Sequence, residues 1–194
     1  MPGFQTKQRS SREQTMFWIR LVGASAALLS ALASAHVTLE QPQAAAGSAY
    51  KAVFKVGHAC AGAHTTTGIT VRLPAGFRGA QPIPKAGWTA RVQRAPLAVP
   101  YESHGRRITE DVVEVSWRAN NADAALPAAF YDEFTVRGTL PASEGALWFK
   151  VLQSCDVGEA DWAEVPASGT STEGLKAPAA RLLLGPAPAA AHVH

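Results

Sequence analysis

The sequence predicts an all-β domain, and within that class an immunoglobulin-like antiparallel β-sandwich. Eight short segments separated by Gly, Pro, Asn and Asp have the length and composition of strands. Several of them alternate apolar and polar residues with a period of two, which indicates strands that are buried on one face only. No stretch after residue 35 keeps the 3.6-residue apolar period of an amphipathic helix. Many short strands without intervening helices favour a sandwich over a β-barrel, which is the alternative.

The predicted strands follow one another at short intervals along the chain. They are HVTLE (36–40), AYKAVFKV (49–56), GITVRLP (68–74), GWTARVQR (87–94), DVVEVSWR (111–118), FYDEFTVRGTL (130–140), GALWFKVLQSC (145–155) and DWAEVP (161–166). In the second strand, Tyr50, Ala52, Phe54 and Val56 share one face. The Ala-rich stretch 119–129 contains two asparagines and a proline, so we expect one helical turn there at most.

Residues 1–35 are predicted to be a cleaved secretory signal. A basic segment with Lys7, Arg9, Arg12 and Arg20 precedes an apolar segment at residues 21–32, and the small-residue pattern ASA ends at Ala35. The apolar segment is too short to span a membrane. The sequence therefore predicts Sec-type export to the periplasm or the outside of the cell, with His36 as the first residue of the mature chain.

Removal of this signal would also remove the chain's apparent basicity. The full sequence has 18 Lys and Arg against 15 Asp and Glu. Four of these bases and one of these acids lie in residues 1–35, so the mature chain of 159 residues (194 minus 35) has 14 of each. A chain with no excess charge gives no electrostatic reason to expect nucleic acid or an anionic membrane as a partner.

The mature chain is predicted to hold one domain and a tail. The strand pattern covers residues 36–166, and residues 167–194 are rich in Ala, Pro, Gly and Ser, which predicts a loosely ordered segment. Within it, RLLL (181–184) could add an edge strand. The terminal HVH, with His192 and His194, could capture a second and weaker metal ion.

Two cysteines, Cys60 and Cys155, lie in the exported part of the chain. An even number of cysteines in an oxidising compartment favours a disulfide. The alternative is a thiolate metal site, since His58 stands two residues before Cys60. His58, His64 and His104 are otherwise interpreted as surface histidines.

A histidine at the mature N-terminus is a chelator, because its α-amine and its imidazole Nδ1 can bind one metal ion in a six-membered ring. The amine has a pKa near 8, so a strong Lewis acid can displace its proton near neutral pH. Cu(II) binds such nitrogen ligands most strongly among the divalent ions. The adjacent acids Asp132 and Glu133, within an otherwise apolar strand, are candidates for a third ligand.

These features together resemble the YcnI-like copper-binding domains of bacterial envelopes. The pieces that carry the resemblance run through residues 35–166, and no single piece would be specific. They are HVTLEQPQAAAGS, ITVRLPAGF, PKAGWTARV, FYDEFTVRGTLP, LWFKVLQSC and DWAEVP.

The resemblance implies an immunoglobulin-like sandwich that binds one Cu(II) ion per mature chain in a monohistidine brace. In that family a glutamate completes the ligand set and a tryptophan lies close to the copper. Carried over to this chain, the brace histidine is His36, the glutamate is Glu133 and the tryptophan is Trp162, which we expect to be exposed. Asp132, Glu159 and Glu164 are the other carboxylates left open. Trp88, Trp117 and Trp148 are expected to fill the core.

The function that follows is an exported protein that holds or delivers Cu(II), with another periplasmic copper chaperone or a membrane copper transporter as a possible partner. Two alternatives remain at this stage. One is a copper-dependent oxidoreductase of the lytic monooxygenase type, although no second histidine lies in a predicted strand. The other is a metal-free immunoglobulin-like module of the cell envelope. No nucleophile, phosphate-binding or zinc-protease motif suggests another enzyme.

Overall fold

The computed structural model describes residues 36–187. The predicted signal (1–35) and the terminal HVH with His192 and His194 therefore lie outside the described residues. Within residues 36–187 no helix is long and apolar enough to cross a membrane.

The described chain is built of β-strands, with a single turn of 3₁₀ helix at Ala122–Ala124. In chain order the strands are β1 (Thr38–Leu39), β2 (Gln43–Ala45), β3 (Ala49–Val56), β4 (Thr65–Arg72), β5 (Arg78–Pro82), β6 (Trp88–Ser103), β7 (Arg106–Ala119), β8 (Leu126–Pro127), β9 (Asp132–Thr139), β10 (Gly145–Cys155), β11 (Glu159–Trp162) and β12 (Ala180–Gly185). The expected helical turn is confirmed, and Asn121 begins it by accepting a hydrogen bond from the backbone N–H of Ala124.

The strands form two sheets. Within residues 36–187 the smaller sheet has the order β1–β3–β9–β5, and the larger sheet has the order β2–β12–β10–β4–β7–β6. Two short strands join the larger sheet from the side, with β11 paired to β10 and β8 paired to β4. All of these pairs are antiparallel except β2 with β12. The predicted all-β, immunoglobulin-like sandwich is confirmed.

The core lies between the two sheets, where the apolar faces of the alternating strands meet. The largest side chains with almost no exposure are Trp117, Phe54, Phe134 and Phe149. Their rings meet edge to face, as in the pair of Trp117 and Phe134 at 5.6 Å between centroids. Trp117 and Trp88 are buried as expected. The prediction for Trp148 is wrong, because it alternates with buried Phe149 and is only half-buried.

The sandwich extends beyond the boundary at Pro166. Strand β12 lies inside the larger sheet, between β2 and β10, and is not an edge strand. Leu182 and Leu184 are buried in the core. The interpretation of residues 167–194 as one loosely ordered tail is therefore wrong for residues 180–185, where RLLL supplies a structural strand.

Strands β6 and β7 form a hairpin much longer than its two predicted strands. Ser103 pairs with Arg106, and the two residues between them, His104 and Gly105, have φ values of 48° and 71°. Two successive positive φ angles form the tight turn that matches the twist of a hairpin. The expected surface position of His104 is thus explained, since it is exposed at the hairpin tip. The side of β6 that faces away from β7 forms an edge of the larger sheet.

Candidate metal centre

His36 lies directly before β1, and its imidazole packs against the indole of Trp162 at the end of β11. The two ring centroids are 5.2 Å apart and the ring planes meet at 70°, an edge-to-face contact. Trp162 is only 9% exposed, so the expectation of an exposed tryptophan is wrong. The structure thus brings together two of the three site residues that the resemblance implied, the brace histidine and the neighbouring tryptophan.

Gln153 fixes the position of this tryptophan. Its side-chain oxygen accepts a hydrogen bond from Trp162 Nε1 at 3.2 Å. Its side-chain nitrogen donates to the backbone oxygen of His58 at 2.7 Å and to Thr66 Oγ1 at 2.8 Å. Gln153 and Thr66 are themselves 1% and 0% exposed. A fully partnered amide at this depth holds its neighbours in one arrangement, because any lost bond would leave a buried polar group without a partner.

Sequence reasoning missed Gln153, although the pattern contains a signal for it. In β10 the core-facing positions are Phe149, Val151 and Gln153. Gln153 falls on the same face of the strand as these two apolar residues, so the alternation alone predicts that it is buried. A buried glutamine needs hydrogen-bond partners, which indicates a polar site inside the sandwich.

The disulfide between Cys60 and Cys155 is confirmed, with an S–S distance of 2.02 Å. It joins the loop after β3 to the end of β10, so it connects one sheet to the other. The backbone N–H of Cys60 also donates to the sulfur of Cys155 at 2.9 Å. The alternative of a thiolate metal site is excluded, because both sulfurs are used in this bond.

Asp156, next to the disulfide, closes the same end of the sandwich. Its Oδ1 accepts backbone N–H bonds from Thr65, His64 and Val157. These bonds, first of all the one from Thr65, lower the pKa of its carboxyl group. Asp156 therefore stays ionised and anchors the start of β4 to the end of β10.

The adjacent acids Asp132 and Glu133 lie on opposite faces of β9. Asp132 lies on the core-facing side of β9 and forms an ion pair with Lys85 at 2.5 Å. Glu133 lies on the outer face and accepts a hydrogen bond from the hydroxyl of Tyr131 at 2.7 Å. Desolvation and, after it, the Glu133 carboxylate raise the pKa of Tyr131 to about 12.

Glu133 is separated from β1 by a strand. Lys55 of β3 pairs with Thr38 on one side and with Glu133 on the other. Because neighbouring strands lie about 4.8 Å apart, Glu133 is about 10 Å across the sheet from β1. The structure thus gives Glu133 a hydrogen bond on the outer face and shows no contact of its carboxylate with Trp162.

The other carboxylates considered for copper lie elsewhere. Glu159 begins β11 and is exposed. Glu164 accepts a hydrogen bond from the backbone N–H of Lys176 at 2.9 Å. Within the part of the chain that the structure describes, no group of three or more His, Cys, Asp or Glu side chains could hold a metal ion. The candidate centre therefore consists of His36 and the Trp162–Gln153 network beside it.

Of the remaining histidines, His64 is exposed as expected, whereas His58 is half-buried. The backbone oxygen of His64 accepts a hydrogen bond from Ala128, on the segment leading to β9. The backbone oxygen of His58 belongs to the Gln153 network. The interpretation of His58 as a simple surface residue is therefore wrong.

Comparisons with known proteins agree with this fold. The family model described as "Domain of unknown function (DUF1775)" matches residues 36–184. A solved structure of an uncharacterized protein from Nocardia farcinica, described as having an immunoglobulin-like fold, is 29% identical with a TM-score of 0.59. The match covers 78% of this chain and 99% of that one. No curated protein matches the chain. A family match over this length shows that the chain belongs to the DUF1775 family, which is the YcnI-like family.

Proposed function

We propose that the exported protein, cut after Ala35, binds one Cu(II) ion at His36 and holds or delivers it. The observation that supports this proposal is the packing of the His36 imidazole against the indole of Trp162, which is itself fixed by a buried glutamine. A histidine that directly follows a predicted cleavage site thus lies against a buried wall of the sandwich.

The chemistry of the donors fits Cu(II). The α-amine and Nδ1 of a terminal histidine offer two nitrogen atoms in one chelate ring, and Cu(II) accepts nitrogen donors in a tetragonal arrangement. Contact with Trp162 restricts the rotation of the imidazole before the metal arrives. Less conformational freedom is then lost on binding, which increases affinity.

The role of Trp162 in this proposal is to shape the site. Its N–H is used by Gln153, so the ring itself, with its electron-rich face, is the part available to the histidine and to a bound ion. The buried indole would cover one side of the bound copper. The opposite side would stay open, and an acceptor protein can approach there. We propose another periplasmic copper chaperone or a membrane copper transporter as that acceptor.

Electron paramagnetic resonance on the processed protein with one equivalent of Cu(II) tests the brace. We expect a single tetragonal Cu(II) spectrum with coupling to at least two nitrogen atoms. The matched control keeps Ala35 in front of His36, which turns the α-amine into an amide. We expect this control to lose the spectrum, and an identical spectrum from both proteins would contradict the proposal.

The same measurement tests the carboxylate implied by the resemblance. Because Glu133 lies two strands from β1 and already accepts the Tyr131 hydroxyl, we expect Glu133→Gln to leave the spectrum unchanged. Glu159→Gln, also exposed on a strand, is the matched control. A shift of g∥ in Glu133→Gln alone would instead assign Glu133 as the third ligand.

The binding role is distinguished from the oxidoreductase alternative by a separate assay. The copper-loaded protein is incubated with an insoluble polysaccharide, a reductant and peroxide. Release of oxidised oligosaccharides would indicate a lytic monooxygenase, whereas transfer of copper to an acceptor chelate without such products supports a carrier.

A further inference from the structure

We infer that the protein binds a small monocarboxylate with an apolar body, such as a medium-chain fatty acid, in a cleft between the loop after β4 and the hairpin of β6 and β7. The cleft has a volume of about 280 Å³, and none of its lining residues belongs to the candidate metal centre. Sites for drug-sized molecules measure about 300–1,000 Å³, so a cleft of this size suits a smaller ligand. Three observations support the site: the irregular course of β6, the fixed apolar wall opposite it, and the position of Arg78.

The first observation is that the outer wall of the cleft is a segment of β6 that leaves the regular pairing. The register of β6 against β7 shifts between Pro96 and Tyr101, where positions 97–100 stand opposite a single residue of β7. A bulge bends its strand, and bulges are frequent beside functional sites. The four residues of this bulge, LAVP, are all apolar, and Val99 is 77% exposed. Apolar residues gathered on an irregular, exposed segment beside a cavity indicate an apolar ligand.

The second observation is that the opposite wall, the loop between β4 and β5, is anchored to the core. The backbone N–H of Leu73 donates to the oxygen of Val113 at 2.9 Å, and that of Phe77 donates to the oxygen of Pro74 at 3.2 Å. Phe77 is buried against Phe149, with ring centroids 5.4 Å apart. Because this wall is held in place, the cleft is formed before a ligand arrives, and binding loses less conformational freedom.

The third observation is that Arg78, which lines the cleft, is held by an aromatic ring and not by a carboxylate. Its guanidinium carbon lies 4.6 Å from the centroid of the Tyr101 ring. The hydroxyl of Tyr101 in turn donates to Asp111 Oδ2 at 2.7 Å, which fixes the ring. Within residues 36–187 the guanidinium of Arg78 donates no hydrogen bond and forms no ion pair. Its N–H groups therefore remain available, in the planar arrangement that binds both oxygens of a carboxylate.

Asp111 limits the charge of the ligand. This residue is only 5% exposed, and besides the Tyr101 hydroxyl it accepts the backbone N–H groups of Gly79 at 2.8 Å and Val112 at 2.7 Å. Burial raises the pKa of Asp111 by desolvation, but these hydrogen bonds lower it by more, so the carboxyl group stays ionised. A fixed negative charge beside the cleft disfavours a dianion such as a phosphate monoester, and Arg78 disfavours a cation. One free guanidinium next to an apolar cavity therefore matches a single carboxylate with an apolar body.

Isothermal titration calorimetry on the processed protein tests the ligand class with octanoate as the probe. The protein is kept free of metal, so that copper cannot bind the carboxylate. We expect octanoate to bind at one molecule per chain and 1-octanol to bind about tenfold more weakly or less, because it lacks the charged partner of Arg78. Acetate, which lacks the apolar body, is expected to show no binding. Absence of octanoate binding, or equal affinity for octanoate and either of the other probes, would overturn the inference.

The role of Arg78 is tested by comparing Arg78→Gln with Arg107→Gln. Arg107 is the matched control, because it is an exposed arginine of the same hairpin and does not line the cleft. We expect Arg78→Gln to bind octanoate about tenfold more weakly or less and Arg107→Gln to bind it as the unsubstituted protein does. An unchanged affinity in Arg78→Gln would overturn the assignment of this arginine.

Nuclear magnetic resonance on the unsubstituted protein locates the ligand without depending on a variant. Backbone amide shifts are followed while octanoate is added. We expect the largest changes in residues 73–78, 97–101 and 111–113, which form the walls of the cleft. Changes confined to other parts of the chain would show that the carboxylate binds elsewhere and would overturn the site.

Discussion

Gln153 shows how one residue can position a whole site. Its amide has a partner at each polar atom, and these partners come from β11, from β4 and from the loop after β3. Within the described chain no buried side-chain nitrogen or oxygen lacks a hydrogen bond. A glutamine in this position is therefore a structural requirement of the tryptophan beside His36.

Replacing Gln153 with Leu is expected to destabilise the protein and loosen Trp162. The substitution leaves the indole N–H, the Thr66 hydroxyl and the His58 carbonyl without their partner, at about 1–3 kcal/mol for a buried unpaired group. Urea unfolding would measure the loss, and the emission of Trp162 should shift. Gln81→Leu is the control, because Gln81 is exposed and bonds only to Arg137 at 2.8 Å. Equal stability of the two variants would contradict this role of Gln153.

At the scale of elements, β12 shows where composition misleads. It follows a stretch rich in Ala, Pro, Gly and Ser, yet it pairs with β10 on one side and β2 on the other. Its buried residues alternate along the strand, beginning with Ala180 and continuing with Leu182 and Leu184. Strand β12 therefore connects β2 to the rest of the larger sheet.

Leu182→Ala is therefore expected to cost about 2–5 kcal/mol of the free energy of unfolding, because it opens a cavity in a close-packed core. Leu183→Ala is the matched control, since its side chain is half-buried on the opposite face of the same strand. Chemical denaturation of both variants measures the difference. A smaller loss for Leu182→Ala than for Leu183→Ala would show that β12 does not contribute to the core as described.

Strands with sharp alternation and clear ends were predictable from the sequence. Strands β3 and β10 have the predicted bounds, residues 49–56 and 145–155. Strands β2 and β5 were missed, because QAA and RGAQP have no large apolar residues to show a period. The hairpin of β6 and β7 extends through the polar segment YESHGRR. Backbone pairing holds this segment, and because it has no alternating apolar residues, the sequence pattern does not predict it as strand.

The site was predictable to a smaller extent. His36 followed from the predicted cleavage site, and Trp162 came from the family resemblance. The partners that hold them, Gln153 and the His58 loop, lie about 90 residues apart in sequence and meet only through the pairing of β10 and the closure by the disulfide. Such contacts depend on tertiary register, which a local pattern does not contain.

At the scale of the whole molecule, the disulfide is a covalent connection between the two sheets. Cys60 follows the inner strand β3 of the smaller sheet, and Cys155 ends β10 of the larger one, at a sequence separation of 95. It lies at the same end of the sandwich as the Gln153 network. The disulfide therefore contributes both to the stability of the fold and to the geometry of the site.

Removing this bond, in the double variant Cys60→Ala with Cys155→Ala, is expected to lower the free energy of unfolding by about 4–5 kcal/mol, the chain-entropy value for a loop of this length. Urea unfolding of the double variant against the oxidised protein measures the change. The oxidised protein with added reductant should move toward the variant. Unchanged unfolding midpoints in both experiments would contradict the stabilising role.

The long edge strand β6 has a consequence for how copies of the protein meet. Within residues 36–187, β6 is an edge strand of 16 residues, and such an edge offers backbone donors and acceptors to another strand. However, Pro96 and Pro100 interrupt it with positions that have no N–H, the pairing register shifts between Pro96 and Tyr101, and Arg91 and Arg94 add positive charge. A second copy that paired with this edge would lack hydrogen-bond donors at the prolines and would bring like charges together. These features of β6 therefore disfavour edge-to-edge aggregation at high concentration.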